Sequence, residues 1–373
     1  MKNRFSNGFR KAAPSLIAIV IGLIVGVAII ALTNPEMAGM AIPEFFFWPA
    51  TRGLSGVGDL FYHMMPLLLC GLSVGFAYKT GLFNIGASGQ FMMGGFITIL
   101  FCAKLQGSVP AYVLWPLAIL ISAFAGALLA ALVGVLKAYR NVNEVITCIM
   151  LNYITMYIVN DFIKRFGIYS QMKNNTISIV PAIPKMGIDV LFPGTIANGS
   201  IFIGILLVIL LHVLLKKTTF GFELQGVGLN RHAAQYAGIN ENRSIILSMA
   251  IAGALAAIGG SMLYLSGAGN HMTVQEVLPQ EGFDGIAVSL LGLNEPIGIF
   301  FSSFFIAFMK LGGQEIQTLG YAPELITMII SFILWVSALS VLFRRLLNRS
   351  EKRRKTSKSP KGESAESTNP GEE

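Results

Sequence analysis

Residues 81–90 read Gly81-Leu82-Phe83-Asn84-Ile85-Gly86-Ala87-Ser88-Gly89-Gln90 and stand between two apolar runs. The three glycines permit irregular backbone or close approach of neighbouring segments. In an apolar medium, irregular backbone survives only where protein buries it or where it lines a wet cavity. Asn84, Ser88 and Gln90 offer hydrogen bonds either to a passing solute or to the freed backbone groups. A surface turn with a small-residue packing face would use the same residues.

A second polar stretch, Gln280-Glu281-Gly282-Phe283-Asp284-Gly285-Ile286-Ala287, shares the pattern F-[ND]-x-x-A with Phe83-Asn84-Ile85-Gly86-Ala87. An acid deep in lipid costs about 2.5–3.5 kcal/mol on insertion scales, so Asp284 there needs a partner or water. The competing placement is at the outer interface, with Glu281 and Asp284 solvated.

The third stretch, 216–243, is polar and long for a connection between helices. Within it Asn230-Arg231-His232-Ala233-Ala234-Gln235-Tyr236 has the composition of a short helix closed by Gly238. Such a helix either docks a soluble partner or is part of an inert loop.

Other chemistries have no residues to carry them. There is no G-x-x-x-x-G-K-[ST], HExxH or GxSxG, and His63, His212, His232 and His271 are scattered. No catalytic site, metal site or resident cofactor is expected. Cys70, Cys102 and Cys148 are odd in number and lie in apolar stretches, as packing residues do.

The elements that must position these stretches follow from composition. Of 373 residues, 54% are hydrophobic and 12% charged, half the charge of an ordinary soluble domain. That excludes a soluble enzyme, a disordered chain and a disulfide scaffold. An all-α, polytopic transmembrane bundle remains.

Ten apolar segments are expected, at 16–32, 61–78, 84–103, 112–136, 145–162, 200–215, 245–265, 278–293, 297–309 and 323–343. The eighth and ninth are short, which leaves eight or nine spans open. The length of the first favours an uncleaved span over a signal peptide. The shared F-[ND]-x-x-A pattern suggests an inverted repeat pairing helices 2–5 with helices 7–10. Residues 37–59, with Phe45, Phe46, Phe47 and Trp48 between prolines, read as an outer interfacial element.

With residues 1–15 cytoplasmic, 20 of the 27 lysines and arginines fall on the inner side: four before the first span, Lys79, two near 137–140, four in the loop and nine in the tail. That bias puts both termini in the cytoplasm and favours an even span count. The net charge of +8 therefore reflects a membrane flank, with its densest run at 344–355, and not a nucleic-acid surface. The membrane domain spans 16–345, and 346–373, polar and proline-containing, is expected to be disordered.

Together these stretches resemble bacterial ABC importer permeases of the simple-sugar, nucleoside and branched-chain amino-acid branch, over roughly residues 60–345. Residues 81–90 are similar to that family's G-[LF]-x-N-I-G-x-E-G-Q motif, with Ser88 where Glu is usual. Thr219, Gly221, Leu224, Val227, Gly228, Asn230, Ala233, Ala234, Gly238 and Ile239 align with its cytoplasmic loop motif, with Gln225 and Gly226 replacing Arg-Ala. Residues 283–292 are similar to its F-D-x-I-A-V-A-L-L-G motif. Within the branch the likeness is greatest to the nucleoside-type permeases.

The resemblance implies a bacterial cell-membrane permease subunit without enzymatic activity of its own. Its implied partners are a second homologous permease, a cytoplasmic ABC ATPase and an extracytoplasmic substrate-binding lipoprotein. It assigns ATPase coupling to Leu224, Gly228, Asn230, Ala233, Ala234, Tyr236 and Gly238.

Nucleosides are neutral and rich in donors and acceptors, so their path needs amides and aromatic faces. Phe83, Asn84, Gln90, Asn152, Tyr153, Phe283 and Asp284 are the expected path residues, and most would serve a sugar nearly as well. The alternatives are a sugar or branched-chain amino-acid permease of the same family, or an ion-coupled secondary transporter using Asp284. A membrane-embedded transferase lacks the clustered charges it would need. A purely structural membrane subunit also stays open at this stage.

Overall fold

A computed structural model describes residues 2–338. The expected tail at 346–373 and the basic run at 344–355 lie outside the described residues. In chain order the elements are α1 Lys2–Thr33, α2 Ala38–Lys79, α3 Ala87–Leu105, α4 Ala111–Arg140 and α5 Glu144–Arg165. A small hairpin follows, β1 Tyr169–Ser170 and β2 Asn175–Thr176, then the single turn α6 Ile188–Leu191. The remainder is α7 Ser200–Lys217, α8 Thr219–Leu229, α9 Arg231–Tyr236, α10 Glu241–Tyr264, α11 Gln280–Leu291, α12 Pro296–Gln317 and α13 Pro323–Ala338.

Each of the ten apolar segments forms a helix over most of its described residues. Seven, α2, α3, α4, α5, α7, α10 and α12, are long and apolar enough to cross a membrane. Helix α11 is different. Its 12 residues rise about 18 Å, well short of the roughly 30 Å of a hydrocarbon core.

Local signals explain the boundaries. The Asn143 side chain accepts from Val145 N (2.9 Å) and caps α5, and Asn240 accepts from Arg243 N (3.0 Å) to cap α10. Helix α4 ends on Asn141 at φ 49°, in the left-handed region that asparagine tolerates. Lys137 and Glu144 close the α4–α5 turn with an ion pair of 2.9 Å.

The inverted repeat is present in the packing. Exchanging α2 with α10, α3 with α11, α4 with α12 and α5 with α13 maps the contacts onto themselves. Helix α10 lies along α4 as α2 lies along α12, and α10 meets α3 as α2 meets α11. Helix α3 touches α4 and α5 as α11 touches α12 and α13. The pair α2 and α10 runs antiparallel, as inversion requires: Thr80 bonds Ser248, Gly259 abuts Pro66 and Leu69, and Asn270 bonds Tyr62. Small residues allow the closest crossings; a Cβ on Gly253 would lie 2.2 Å from Gly126 O. The five-residue pattern does not mark equivalent positions, however. Phe83 and Asn84 precede α3, whereas Phe283 and Asp284 lie inside α11.

Two expectations need correction. Residues 38–59 do not form a separate surface element. They belong to α2, whose two parts meet at Gly53 (φ 64°, ψ −149°). Phe45 and Trp48 are buried, with Trp48 5.6 Å from Phe308 and Phe45 O against Gly312 of α12. Phe47 alone of the four aromatics is strongly exposed. The polar stretch 216–243, in turn, carries two helices and not one, since α8 precedes the expected α9. All three cysteines are buried and free, as packing residues should be.

Candidate functional site: two helix starts inside the bundle

Helix α3 begins inside the protein. Residues 80–86 turn from the end of α2 through Gly81 (φ 73°) and run to Ala87, whose buried neighbours include Val74 and Ala256. This broken backbone is held by amides. Asn84 Nδ2 donates to Gln90 Oε1 (2.8 Å) and Ser73 Oγ (3.0 Å), and Gln90 Nε2 donates back to Asn84 Oδ1 (3.0 Å). Asn152 of α5 completes the set: its Nδ2 donates to Ile85 O (3.0 Å) and its Oδ1 accepts from Gly89 N (2.9 Å). Asn84, Gln90 and Asn152 are all buried. Their hydrogen bonds go to one another, to the turn, to the first turn of α3 and to Ser73 of α2, which is how a nonhelical segment is accommodated in a low-dielectric interior.

Helix α11 begins beside α3. Ser88 Oγ donates to Pro279 O (2.7 Å), and a Cβ on Gly282 would lie 2.3 Å from both Ser88 N and Ser88 Oγ. Glycine at 282 is therefore a requirement of the contact. Cys70 of α2 faces Gly285, and the nine residues from Cys70 to the end of α2 rise about 13 Å. The start of α11 thus stands well inside the bundle from the C-terminal end of α2.

Asp284 is buried and forms an ion pair with Lys310 of α12. Gln280 Nε2 lies 3.4 Å from Asp284 Oδ1. The acid is compensated within the bundle, which excludes the solvated interfacial placement. Lys310 carried no sequence signal, because it falls at the end of an apolar segment like any flanking lysine.

Above this pair opens a cavity of 530 Å³, walled by Tyr62 and His63 of α2, Asn270 of the α10–α11 connection, and Lys310 and Gln314 of α12, with Glu281 at the start of α11. A second cavity, 310 Å³, is lined by Phe91, Tyr264, His271 and again Glu281. Phe83 and Phe283 are partly buried near the two helix starts. Tyr153 is exposed on the outer face of α5, away from the amide cluster. The expected path residues therefore fall into three groups: the amide lock (Asn84, Gln90, Asn152) with Phe83, the α11 start (Phe283, Asp284), and Tyr153 by itself.

At the end of the bundle where α2 and α7 finish, α8 and α9 form an elbow. Asn230 Oδ1 accepts from Ala233 N (3.1 Å) to cap α9, and Gly238 (φ 80°) ends it. Leu224, Val227 and Ala234 are buried against the bundle. Gly228 is applied directly to α2: a Cβ there would lie 2.3 Å from Lys79 O. Gln225 Nε2 donates to Leu215 O (2.7 Å) and Gly221 O (3.0 Å), fixing α8 to α7. Facing outward are Ala233, Leu229 (89% exposed) and Tyr236 (95% exposed). Glu295, in the α11–α12 turn, joins Lys79 (2.7 Å) and Lys216 (3.1 Å), the ends of α2 and α7. Burial raises the Glu295 carboxyl, but the two lysines outweigh it and hold the group below its ordinary 4.5.

Interrupted helices meeting inside an inverted helical repeat, with a structured elbow at one end, define a multi-pass transport permease. The chain belongs to the family described as branched-chain amino acid transport system / permease component, matched over residues 56–339. It is similar to the nucleoside ABC transporter permease protein NupB of Lactococcus lactis subsp. cremoris, 34% identical over 360 residues, covering 93% of this chain and 96% of that protein. It is also similar to the guanosine ABC transporter permease protein NupP of Bacillus subtilis, 32% identical over 340 residues, covering 91% and 96%. NupC, a second nucleoside permease of the same L. lactis strain, is 27% identical over 291 residues, covering 74% and 90%. No solved structure matches the chain.

Proposed function

We propose that this chain forms the translocation path of an ATP-driven nucleoside importer. In this reading it works beside a second, similar permease, a cytoplasmic ATPase that hydrolyses the ATP, and an extracytoplasmic substrate-binding lipoprotein. Both termini face the cytoplasm of a bacterial cell. The observation that carries the reading is the likeness, over nearly the whole of both chains, to permeases named for nucleosides and guanosine. That one L. lactis strain holds two nucleoside permeases, NupB and NupC, both similar to this chain, supports a partner permease.

Physical features agree with it. The exposed face of α4 is apolar over Leu117, Leu120, Phe124, Leu128 and Leu132, as a lipid-facing helix should be. The exposed face of α5 carries Tyr153 and Tyr157, whose hydroxyls bond no described residue. A phenol hydroxyl unpaired in hydrocarbon is costly, so this face suits the partner permease and a wet path between the two. The elbow supplies coupling: Leu224, Gly228 and Ala234 hold it to the bundle, while Asn230, Ala233 and Tyr236 face the ATPase, and Gly238 closes the helix.

The test is uptake of labelled guanosine, ribose and leucine by cells with and without this chain. Guanosine uptake that depends on the chain supports the reading; dependence for ribose or leucine alone would replace it. Within the assembled transporter, Ala233→Arg should abolish uptake and release the ATPase in pull-down while the membrane domain stays folded, since an interface core tolerates neither the bulk nor the unpaired charge. Full uptake with full ATPase recovery would remove the elbow from coupling.

A further inference from the structure

Glu281 is the one carboxylate that lines both cavities at the start of α11. Its neighbour Asp284 is committed to Lys310. Glu281 forms no ion pair or side-chain hydrogen bond with any described residue. It sits in the first turn of α11, where Pro279 provides no side-chain cap and the backbone N–H groups favour a negative charge. It is thus a carboxyl group without an internal donor, facing space large enough for a small organic solute.

The surroundings specify the solute further. The smaller cavity presents aromatic surface from Tyr264 and His271, with Phe91 buried behind them. The larger presents the linked Tyr62 hydroxyl and Asn270 amide (2.5 Å). Aromatic walls suit a flat ring. A carboxylate is acceptor-only and takes two parallel N–H donors side by side. A neutral solute with both properties is a nucleobase whose edge carries a ring N–H next to an exocyclic amino group, as guanine does. Adenine lacks the ring N–H and satisfies only half of that acceptor.

We propose that Glu281 is a specificity-determining residue of the path, accepting the paired N–H donors of a guanine-type nucleoside as it passes the start of α11. The proposal rests on the nucleoside reading above and deepens it.

The experiment is vesicle uptake by the complete transporter with its own binding protein, comparing guanosine, adenosine and uridine for wild type, Glu281→Gln and Glu281→Asp, each normalised to membrane abundance. Glu281→Gln replaces one acceptor by a donor that opposes the guanine edge. Guanosine uptake should fall at least tenfold, while adenosine and uridine change less than threefold. Glu281→Asp, which keeps the carboxylate, should retain more guanosine uptake than Glu281→Gln. An equal fall for all three nucleosides in Glu281→Gln would overturn the proposal and make Glu281 a structural residue. Unchanged guanosine uptake would overturn it equally. If wild type moved none of the three, the nucleoside reading itself would fail, and that result is visible before any variant is compared. Should Glu281→Gln not reach the membrane, the guanosine-to-adenosine ratio of Glu281→Ala decides: a ratio equal to wild type's overturns the proposal.

Discussion

The inverted repeat uses one device twice and finishes it differently. At the α3 start, the broken backbone is locked by neutral amides, each bonded to another or to the turn. At the α11 start, the connection leaves two cavities, a compensated ion pair and an uncommitted carboxylate. Satisfied amides resist movement and bind nothing further, whereas a charge beside open space invites a ligand. The first half is therefore tied down by its own hydrogen bonds, while the second leaves polar groups facing open space.

Four changes break or sharpen that contrast. The largest effect belongs to the contact that joins the halves. Gly282→Leu drives a side chain into the Ser88 backbone, and no relaxation of a flexible neighbour relieves it. Folded protein should vanish from the membrane fraction, as read by size-exclusion profile in detergent. Next, Lys310→Met leaves Asp284 buried and unpaired. Removing one partner of a buried pair costs about 3–5 kcal/mol, less here because the Lys310 side chain is partly exposed. Melting in detergent should drop clearly, and Asp284→Leu with Lys310→Met should recover much of the loss.

Third, Asn84→Leu strands Gln90 and removes the Ser73 bond, each unsatisfied group costing about 1–3 kcal/mol. Uptake and melting temperature should fall together. The Asn84→Leu/Gln90→Leu double variant should be less destabilised than the sum of the singles. Additive losses would show that the amides do not act as one lock.

The smallest effect is at Glu295. Its folded-state pKa lies below the ordinary 4.5, so its stabilisation is fully present above that value and is lost as pH falls through the lower folded value. Glu295→Gln should melt slightly below wild type at pH 7, and the gap should close as the pH is taken below 4.5. A gap that persisted in acid would remove the ion pairs as its cause.

Much of this fold is legible in the sequence because membrane spans declare themselves by apolar length. The ten segments, the break before α3 and the α9 helix with its Gly238 stop all follow from local patterns. Depth does not. Phe45 and Trp48 have the composition of an interfacial belt, and only the packing of α2 against α12 shows them buried. Helix α8 is hidden because Gly221, Gly226 and Gly228 read as loop residues; here tertiary contact with α7 and α2 overrides propensity. For the site, Asn84, Gln90 and Asn152 stand out as polar residues in apolar runs. Their mutual bonding does not, since it depends on α5 lying beside α3. Lys310 was hidden by resembling a membrane flank, and Glu281 by resembling a solvated helix start.

The seat of the α8–α9 elbow has a mechanical consequence. Gly228 meets the Lys79 carbonyl with no side chain between the two backbones. A side chain with rotatable bonds would act as a spring and absorb part of any displacement, while main chain against main chain is nearly incompressible. A push on α8 therefore reaches the end of α2 at almost full stroke. The lysines there and on α7 grip the same carboxylate in the α11–α12 turn, so the lever's far arm is the short helix that borders both cavities. Stiffness at one glycine sets how much of the elbow's travel arrives at the other end.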